Sequence, residues 1–167
     1  MSTAPAPHWQ ADTVVLHAGY DGLQHQRSAA VPIYPSTSYL FENAQQGAEL
    51  FDLVQEGHIY ARTSNPTQAV LEQRITQLEG GTAAVAVASG MAAIDIALAT
   101  LAQVGDHVIV ASTLYGGSHN LITHVLQGRG IRSSVVARQD SDALRQAITA
   151  QTKAVFVESI GNPSGDV

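Results

Sequence analysis

The chain has 167 residues, of which 45% are hydrophobic and 13% charged, and its formal net charge is −6. This composition indicates a folded α/β protein and is too apolar for a disordered chain. The sequence has no Cys, no cluster of Lys or Arg and no apolar run long enough for a membrane span. These absences exclude disulfides and favour neither nucleic acid nor membrane as a partner. Residues 1–10 lack the features of a secretory signal, so a cytoplasmic protein is expected.

Residues 1–64 show little regular periodicity and predict an irregular N-terminal arm. Pro32 and Pro35 interrupt a β-branched and aromatic segment, and proline favours extended or turn backbone over helix. Near the end of the arm lie Tyr60 and Arg62. The planar guanidinium of Arg is suited to bidentate contacts with phosphate, although a surface ion pair is the commoner use of such a residue.

From residue 65 onward the pattern predicts alternating helices and strands. Asn65 and Pro66 predict the start of a helix that ends at Gly80, with Gln68 at a capping-box position. The apolar face of this helix consists of Leu71, Ile75 and Leu78. Strands are predicted over 83–88, 107–111, 131–137 and 154–157, and further helices over 91–101, about 117–126 and from Asp140 or Ser141. The alternation predicts a mainly parallel sheet with helices on its faces.

Segments with unusual residues follow three of the predicted strands. They are Ser89–Met91, Thr113–Gly117, and Glu158 with Asn162–Pro163. In an open parallel sheet ligands bind beyond the carboxyl ends of the strands, so these segments predict one site. Free N–H groups and the positive helix end after Ser89 would attract a phosphate, although a glycine there could equally serve only a tight turn.

The other candidate site residues also have a purely structural interpretation. Tyr115, followed by two glycines, could stack on a planar ring or pack beneath its own loop. Glu158 could contact a ligand or be a solvated carboxylate at the rim of the sheet, and Asn162–Pro163 is equally a turn signal. The seven histidines are scattered and form no metal-binding pattern, so no metal site is expected.

Six segments, in this order, resemble the Cys/Met-metabolism family of pyridoxal-phosphate (PLP) enzymes. They are LHAGY from Leu16, VPIYPSTSYLF from Val31, IYARTSNPT from Ile59, LEGGTAAVAVASGMAAI from Leu78, STLYGGSHNL from Ser112 and VESIGNPSGDV from Val157. Within the family, the stretches LFDLVQEG and HIYARTSNPTQAVLEQRI are most similar to O-acetylhomoserine sulfhydrylases. The resemblance implies the aspartate-aminotransferase-like fold (PLP fold type I), with the arm over 1–64 and part of the large PLP-binding domain over 65–167.

The resemblance also implies roles for the candidate residues. Ser89, Gly90 and Met91 would hold the PLP phosphate, chiefly through the backbone. Tyr115 would stack on the pyridine ring and assist proton transfer as the catalytic residue, and Glu158 would lie at the cofactor.

The remaining implied roles are contacts with a neighbouring subunit and with the substrate. Tyr60 and Arg62 would reach the phosphate of a neighbouring subunit's cofactor, which makes the arm an intersubunit element of a homotetramer. Asn162 would lie near the ring hydroxyl and the substrate carboxylate, and Tyr60 would also contact the amino-acid substrate.

The implied reaction converts O-acetylhomoserine and sulfide or a thiol into homocysteine or methionine. In this family the lysine that binds the cofactor covalently follows the VESIGNPSGDV segment, and the sole lysine here, Lys153, precedes the last predicted strand. The chain as given is therefore expected to be an inactive N-terminal fragment. Cystathionine γ-synthase and methionine or cystathionine γ-lyase activity remain open for the whole enzyme, as does a non-catalytic truncated fragment that binds phosphate.

Overall fold

The computed structural model describes residues 9–137 and 140–167, and the chain forms two compact units, Met1–Ala86 and Val87–Val167. The helices of the first unit are α1 (Ala11–His17), a 3₁₀ turn (Gly22–His25), α2 (Ala44–Phe51) and α3 (Pro66–Glu79). This unit contains the whole of the predicted arm together with α3, which the sequence pattern grouped with the sheet.

Helix α3 begins and ends where the sequence predicts. The side chain of Asn65 accepts the Thr67 N–H at 2.9 Å, and Gly80 ends the helix with a left-handed φ of 62°. Gln68 does not form a capping box, because its side-chain amide donates to Glu72 Oε1 and to the Ala86 carbonyl.

The apolar face predicted for α3 is not the face that the first unit buries. Leu71 and Ile75 are 52% and 42% exposed, whereas Val70 is buried. Helix α1 packs on the Val70 side, where Arg74 Nε donates to the Ala18 carbonyl at 2.9 Å. The position of α1, which the sequence pattern did not reveal, therefore decides which side of α3 is covered.

The strand predicted over 83–88 is wrong, because these residues form no regular structure. Side chains of α3, instead of a neighbouring strand, form hydrogen bonds with the backbone of this segment at Ala86. Glu72 Oε1 accepts the Ala86 N–H at 2.8 Å, and Gln68 donates to the Ala86 carbonyl at 3.4 Å. These two bonds engage the backbone N–H and carbonyl of Ala86, at which a strand neighbour would otherwise bond.

The arm is more regular than the sequence pattern indicates, since it contains α1 and α2. Asn43 caps α2 by accepting the Gln46 N–H at 2.9 Å, and Gln46 in turn accepts the Glu42 N–H at 2.7 Å. This spacing of Asn and Gln is a helix-start signal that was present in the sequence. The proline-containing segment 31–37 is irregular, as predicted.

The second unit contains a parallel sheet whose strand order is β2-β1-β3. The strands are β1 (His107–Ala111), β2 (Arg132–Val136) and β3 (Thr152–Phe156). The helices are α4 (Gly90–Leu101), α5 (Gly116–Asn120), a π-helical stretch (Leu121–Val125) that continues it, α6 (Leu126–Gly128) and α7 (Ser141–Ala147). These elements confirm the predicted α/β class and, within one or two residues, the last three predicted strands.

The core lies on one face of the sheet, under α4 and the helical stretch 116–128. Val108 and Val110 of β1 project into it and meet Leu98, Ile122 and Leu126, all at most 3% exposed. Burial of each such side chain contributes about 1.5–3 kcal/mol. Helix α4 forms over nearly the residues predicted, 91–101; its buried side chain is Leu98, and the others are partly or fully exposed. Among the described residues, no helix has the length and apolar character needed to cross a membrane.

Candidate functional site

The start of α4 offers two backbone N–H groups to a ligand. Ser89 caps the helix, its Oγ accepting the Ala92 N–H at 3.1 Å and its carbonyl accepting the Ala93 N–H at 3.0 Å. Within the described residues the N–H groups of Gly90 and Met91 have no hydrogen-bond partner, as is usual for the first turn of a helix. The space around Gly90 is open, with no atom within 4 Å of where a Cβ would lie. The geometry therefore fits a phosphate or another anion.

The loop after β1 brings an aromatic ring to the same place. Tyr115 is 51% exposed, and its ring lies over Gly117, where a Cβ would be 2.5 Å from Tyr115 Cε1 and 3.2 Å from Met91 Sδ. The start of α4 and the Tyr115 ring are thus in contact through Gly117. One side of the ring faces this glycine, and the exposed remainder is free to stack on a planar ligand.

Glu158 lies beyond the end of β3 and bonds to this loop. Its Oε2 and Oε1 accept the Tyr115 N–H at 3.0 and 3.1 Å, and its Oε1 accepts the hydroxyl of Ser118 at 3.3 Å. Ser118 is buried, with 1% of its surface exposed. Ser118 was not predicted from the sequence, since a small polar residue directly after two glycines carries no signal of its own.

The segment with Asn162 follows Glu158 and packs against the loop after β1. Gly161 is buried, and a Cβ there would lie 3.2 Å from Thr113 Cβ and 2.6 Å from Asp166 Oδ1. The Gly161 N–H donates to the Asp166 carbonyl at 2.7 Å, which closes the segment into a tight loop. Asn162 is exposed at the tip of this loop, and its peptide bond to Pro163 is cis.

Tyr60 and Arg62 lie in the first unit, on a short turn held by backbone and hydroxyl hydrogen bonds. Tyr60 forms an isolated antiparallel bridge with Ser38, and its carbonyl accepts the N–H groups of Thr63 and Ser64. The guanidinium of Arg62 lies 5.7 Å from the centre of the Tyr60 ring. Tyr60 is 44% exposed, so the pair presents an aromatic hydroxyl and a cation at the surface of its unit.

The candidate residues therefore form two groups. Ser89, Gly90, Met91, Tyr115, Glu158 and Asn162 belong to the second unit, and Tyr60 and Arg62 belong to the first. In the described part of the chain no three His, Asp or Glu side chains are placed to hold a metal ion. A helix start with two free N–H groups beside an exposed aromatic ring fits a planar, phosphorylated cofactor.

Comparisons with known proteins point in the same direction. The sequence model of the family described as Cys/Met metabolism PLP-dependent enzyme matches residues 12–167. A homocysteine/cysteine synthase of Saccharomyces cerevisiae is 46% identical over 158 residues, which cover 93% of this chain and 36% of the yeast protein. O-acetyl-L-homoserine sulfhydrylase 1 of Thermus thermophilus is 46% identical over 154 residues, covering 92% of this chain and 37% of that protein. The chain thus spans little more than a third of the length of these relatives.

Solved structures show the same relationship. A crystal structure of a protein described as an O-acetylhomoserine (thiol)-lyase from Campylobacter jejuni, which carries a pyridoxyl-lysine phosphate group, has a TM-score of 0.90 and 44% identity. The match covers 96% of this chain and 39% of the Campylobacter chain. A cystathionine γ-lyase from Lactobacillus plantarum, solved with L-serine, has a TM-score of 0.83 and 34% identity, covering 95% of this chain and 39% of that one.

Proposed function

The chain belongs to the Cys/Met metabolism PLP-dependent enzyme family, and on that premise we propose that it is the N-terminal part of an O-acetylhomoserine sulfhydrylase. The observation that carries this proposal is the pairing of two free N–H groups at the start of α4 with the exposed Tyr115 ring. Relatives that are 46% identical and described as homocysteine synthases or sulfhydrylases support the choice of reaction.

In this proposal the start of α4 holds the PLP phosphate. The N–H groups of Gly90 and Met91 point out of the first turn and donate to phosphate oxygens. Ser89 already accepts the Ala92 N–H through its Oγ, but its hydroxyl hydrogen remains able to donate to the phosphate. Tyr115 stacks on the pyridine ring through its exposed face. When bound, PLP supplies an electron sink for negative charge at the substrate Cα.

The exposed polar groups complete the proposed site. The Asn162 side chain lies at a loop tip and offers an amide to the cofactor ring hydroxyl and the substrate carboxylate. Tyr60 and Arg62 reach the cofactor phosphate of a neighbouring subunit, with Tyr60 also at the substrate, so the assembled enzyme is a homo-oligomer, by family resemblance a tetramer. We also place the protein in the cytoplasm.

A γ-lyase or cystathionine γ-synthase activity is the second candidate. It is favoured by the 34% identity and TM-score of 0.83 to the Lactobacillus cystathionine γ-lyase. The fate of the four-carbon unit distinguishes the activities, because a sulfhydrylase transfers it to sulfide or a small thiol and a synthase transfers it to cysteine. A lyase transfers it to no acceptor but eliminates the γ-substituent and releases 2-oxobutyrate and ammonia.

The test is an assay of the protein purified from its source. With O-acetylhomoserine and sulfide we expect homocysteine, and with cysteine in place of sulfide we expect little cystathionine. Cystathionine as the main product, or 2-oxobutyrate formed without any thiol, would overturn the sulfhydrylase assignment in favour of the second candidate.

A further inference from the structure

We propose that Glu158 is a positioning residue that fixes the Tyr115 loop, and that it acts on the cofactor only through Tyr115. This inference rests on the proposed PLP site and deepens it. The family resemblance placed Glu158 at the cofactor, but both of its carboxylate oxygens accept hydrogen bonds from the loop after β1.

The strand pattern explains why Glu158 reaches that loop. Ala154 and Phe156 of β3 pack on the core under α4 and the helical stretch 116–128. Side chains two residues apart in a strand point to the same face, so Glu158 continues this row just beyond the strand end. β1 is the parallel neighbour of β3, with Val110 opposite Phe156, so the loop after β1 starts beside Glu158.

The loop needs this carboxylate because it has no local cap. Tyr115 occupies the N-cap position of α5, and no side chain of its own segment bonds to the helix start. Glu158 supplies an acceptor from another strand at 3.0 and 3.1 Å, and a negative charge there is favourable beside the positive helix end. The buried hydroxyl of Ser118, one turn into the helix, gives the carboxylate a second attachment.

The ring of Tyr115 is fixed from the other side by Gly117. Since the ring lies over this glycine and beside Met91, a shift of the Tyr115 backbone would move the ring away from the start of α4. Glu158 thus sets the distance between the two parts of the proposed site, the phosphate-binding N–H groups and the stacking ring.

The first experiment needs no cofactor, so it separates this inference from the proposed function. Amide hydrogen exchange is measured residue by residue in the 167-residue chain and in its Glu158→Ala and Glu158→Gln variants. We expect exchange of the Tyr115 amide to accelerate about tenfold or more in Glu158→Ala, with the Val110 amide of β1 unchanged. Glu158→Gln keeps one acceptor oxygen, so exchange should be intermediate, and this isosteric variant serves if the Ala variant does not fold.

A matched control is Asp140→Asn, which alters another capping carboxylate. Asp140 accepts the Ala143 N–H at 2.7 Å at the start of α7. We expect this variant to leave Tyr115 exchange unchanged. Unchanged Tyr115 exchange in both Glu158 variants, or equal acceleration in Asp140→Asn, would overturn the proposal.

A double-mutant cycle on PLP affinity tests whether Glu158 acts through Tyr115. Glu158→Ala should weaken PLP binding about tenfold in the parent chain and have no further effect in a Tyr115→Ala background. An equal loss in both backgrounds would show that Glu158 contacts the cofactor itself or merely supports the fold, and the proposal would be wrong. If the parent chain binds no PLP, the proposed cofactor site fails, and the exchange experiment still decides the role of Glu158.

Discussion

At the scale of single residues, His107 is a buried imidazole whose two nitrogens are both engaged. Its Nδ1 is 2.9 Å from Thr152 Oγ1 and its Nε2 is 3.0 Å from Ser134 Oγ, so it joins all three strands at the start of β1. Burial, and secondly the nearby Arg132, lower the pKa of His107 from its ordinary value near 6.5. The imidazole is therefore neutral in the folded chain at neutral pH.

The lowered pKa of His107 predicts that stability falls in acid. The unfolded chain takes up a proton on this residue at a higher pH than the folded chain does, so its contribution is complete above pH 6.5 or so and is lost as the pH falls below that. The free energy of unfolding in urea, measured from pH 8 to pH 5, should decrease.

The His107→Gln variant should be less stable at pH 8 by about 1–3 kcal/mol, since it disturbs two buried hydrogen bonds, but should vary less with pH. Burial and the neighbouring His25 also lower the pKa of His58, so His58→Gln should flatten the curve further. If the free energy of unfolding of the His107→Gln/His58→Gln double variant falls in acid as much as that of the parent chain, these histidines are not the cause of the acid dependence.

Two adjacent glycines allow a controlled test of the position of the Tyr115 ring. A Cβ on Gly117 would lie 2.5 Å from the ring, whereas a Cβ on Gly116 would meet nothing within 4 Å. Because the exposed ring can move aside, Gly117→Ala should fold but displace Tyr115 and weaken PLP binding about tenfold. Gly116→Ala should bind like the parent chain. Equal PLP affinity of the two variants, measured by equilibrium dialysis, would contradict the assigned ring position.

At the scale of single residues, the sequence indicates which residues belong to the site better than it indicates which residues bond to them. Tyr115 and Gly90 could be singled out because each follows a predicted strand, and the family resemblance then implied a role for each. The bonds from Glu158 to the Tyr115 N–H and Ser118 could not, because they join residues about 40 positions apart. Their contact depends on strand order, which no local pattern encodes.

At the scale of elements, the start of α4 predicts how PLP binding responds to the loss of one donor. Proline lacks the N–H and is favoured at the first helical position, and the extended Ser89 backbone (φ −159°, ψ 158°) tolerates a following proline. Gly90→Pro should therefore keep the helix and weaken PLP binding about tenfold relative to Gly90→Ala. Both variants add a Cβ, so its effect cancels in the comparison, and equal affinities would exclude the Gly90 N–H as a phosphate donor.

Helices and strands with clear sequence signals at their ends, or with an apolar run in the core, were predicted well. Features that depend on which elements pack together were not. Strand β1 is an apolar run between turns, and α3 has Asn65 and Gly80 at its ends. The run 83–88 looks just as strand-like, yet Glu72 and Gln68 bond to its backbone instead. The buried side of α3 was likewise unpredictable, because it depends on where α1 packs.

At the scale of the whole molecule, the chain exposes apolar surface on the sheet face opposite the core. Val155 is 47% exposed and Val157 60% exposed, and both line an open groove of about 160 Å³ together with Ile109 and Leu144. Exposed apolar patches of this kind promote association between molecules. The proposed oligomer, in which Tyr60 and Arg62 reach a neighbouring subunit's cofactor, adds a second reason for association.

The apolar groove on the sheet predicts that the isolated chain associates with itself. A single charged side chain introduced into the groove should reduce this self-association. Val155 points away from the core, so Val155→Lys should lower the average mass at high concentration, measured by analytical ultracentrifugation, and change stability by less than about 0.5 kcal/mol. Phe156, the next residue, packs on the core, and Phe156→Lys is the contrasting variant, which should unfold the sheet. If Val155→Lys associates as strongly as the parent chain, the contacts lie elsewhere, and the exposed α4 residues Ile96 and Leu101 become the next candidates.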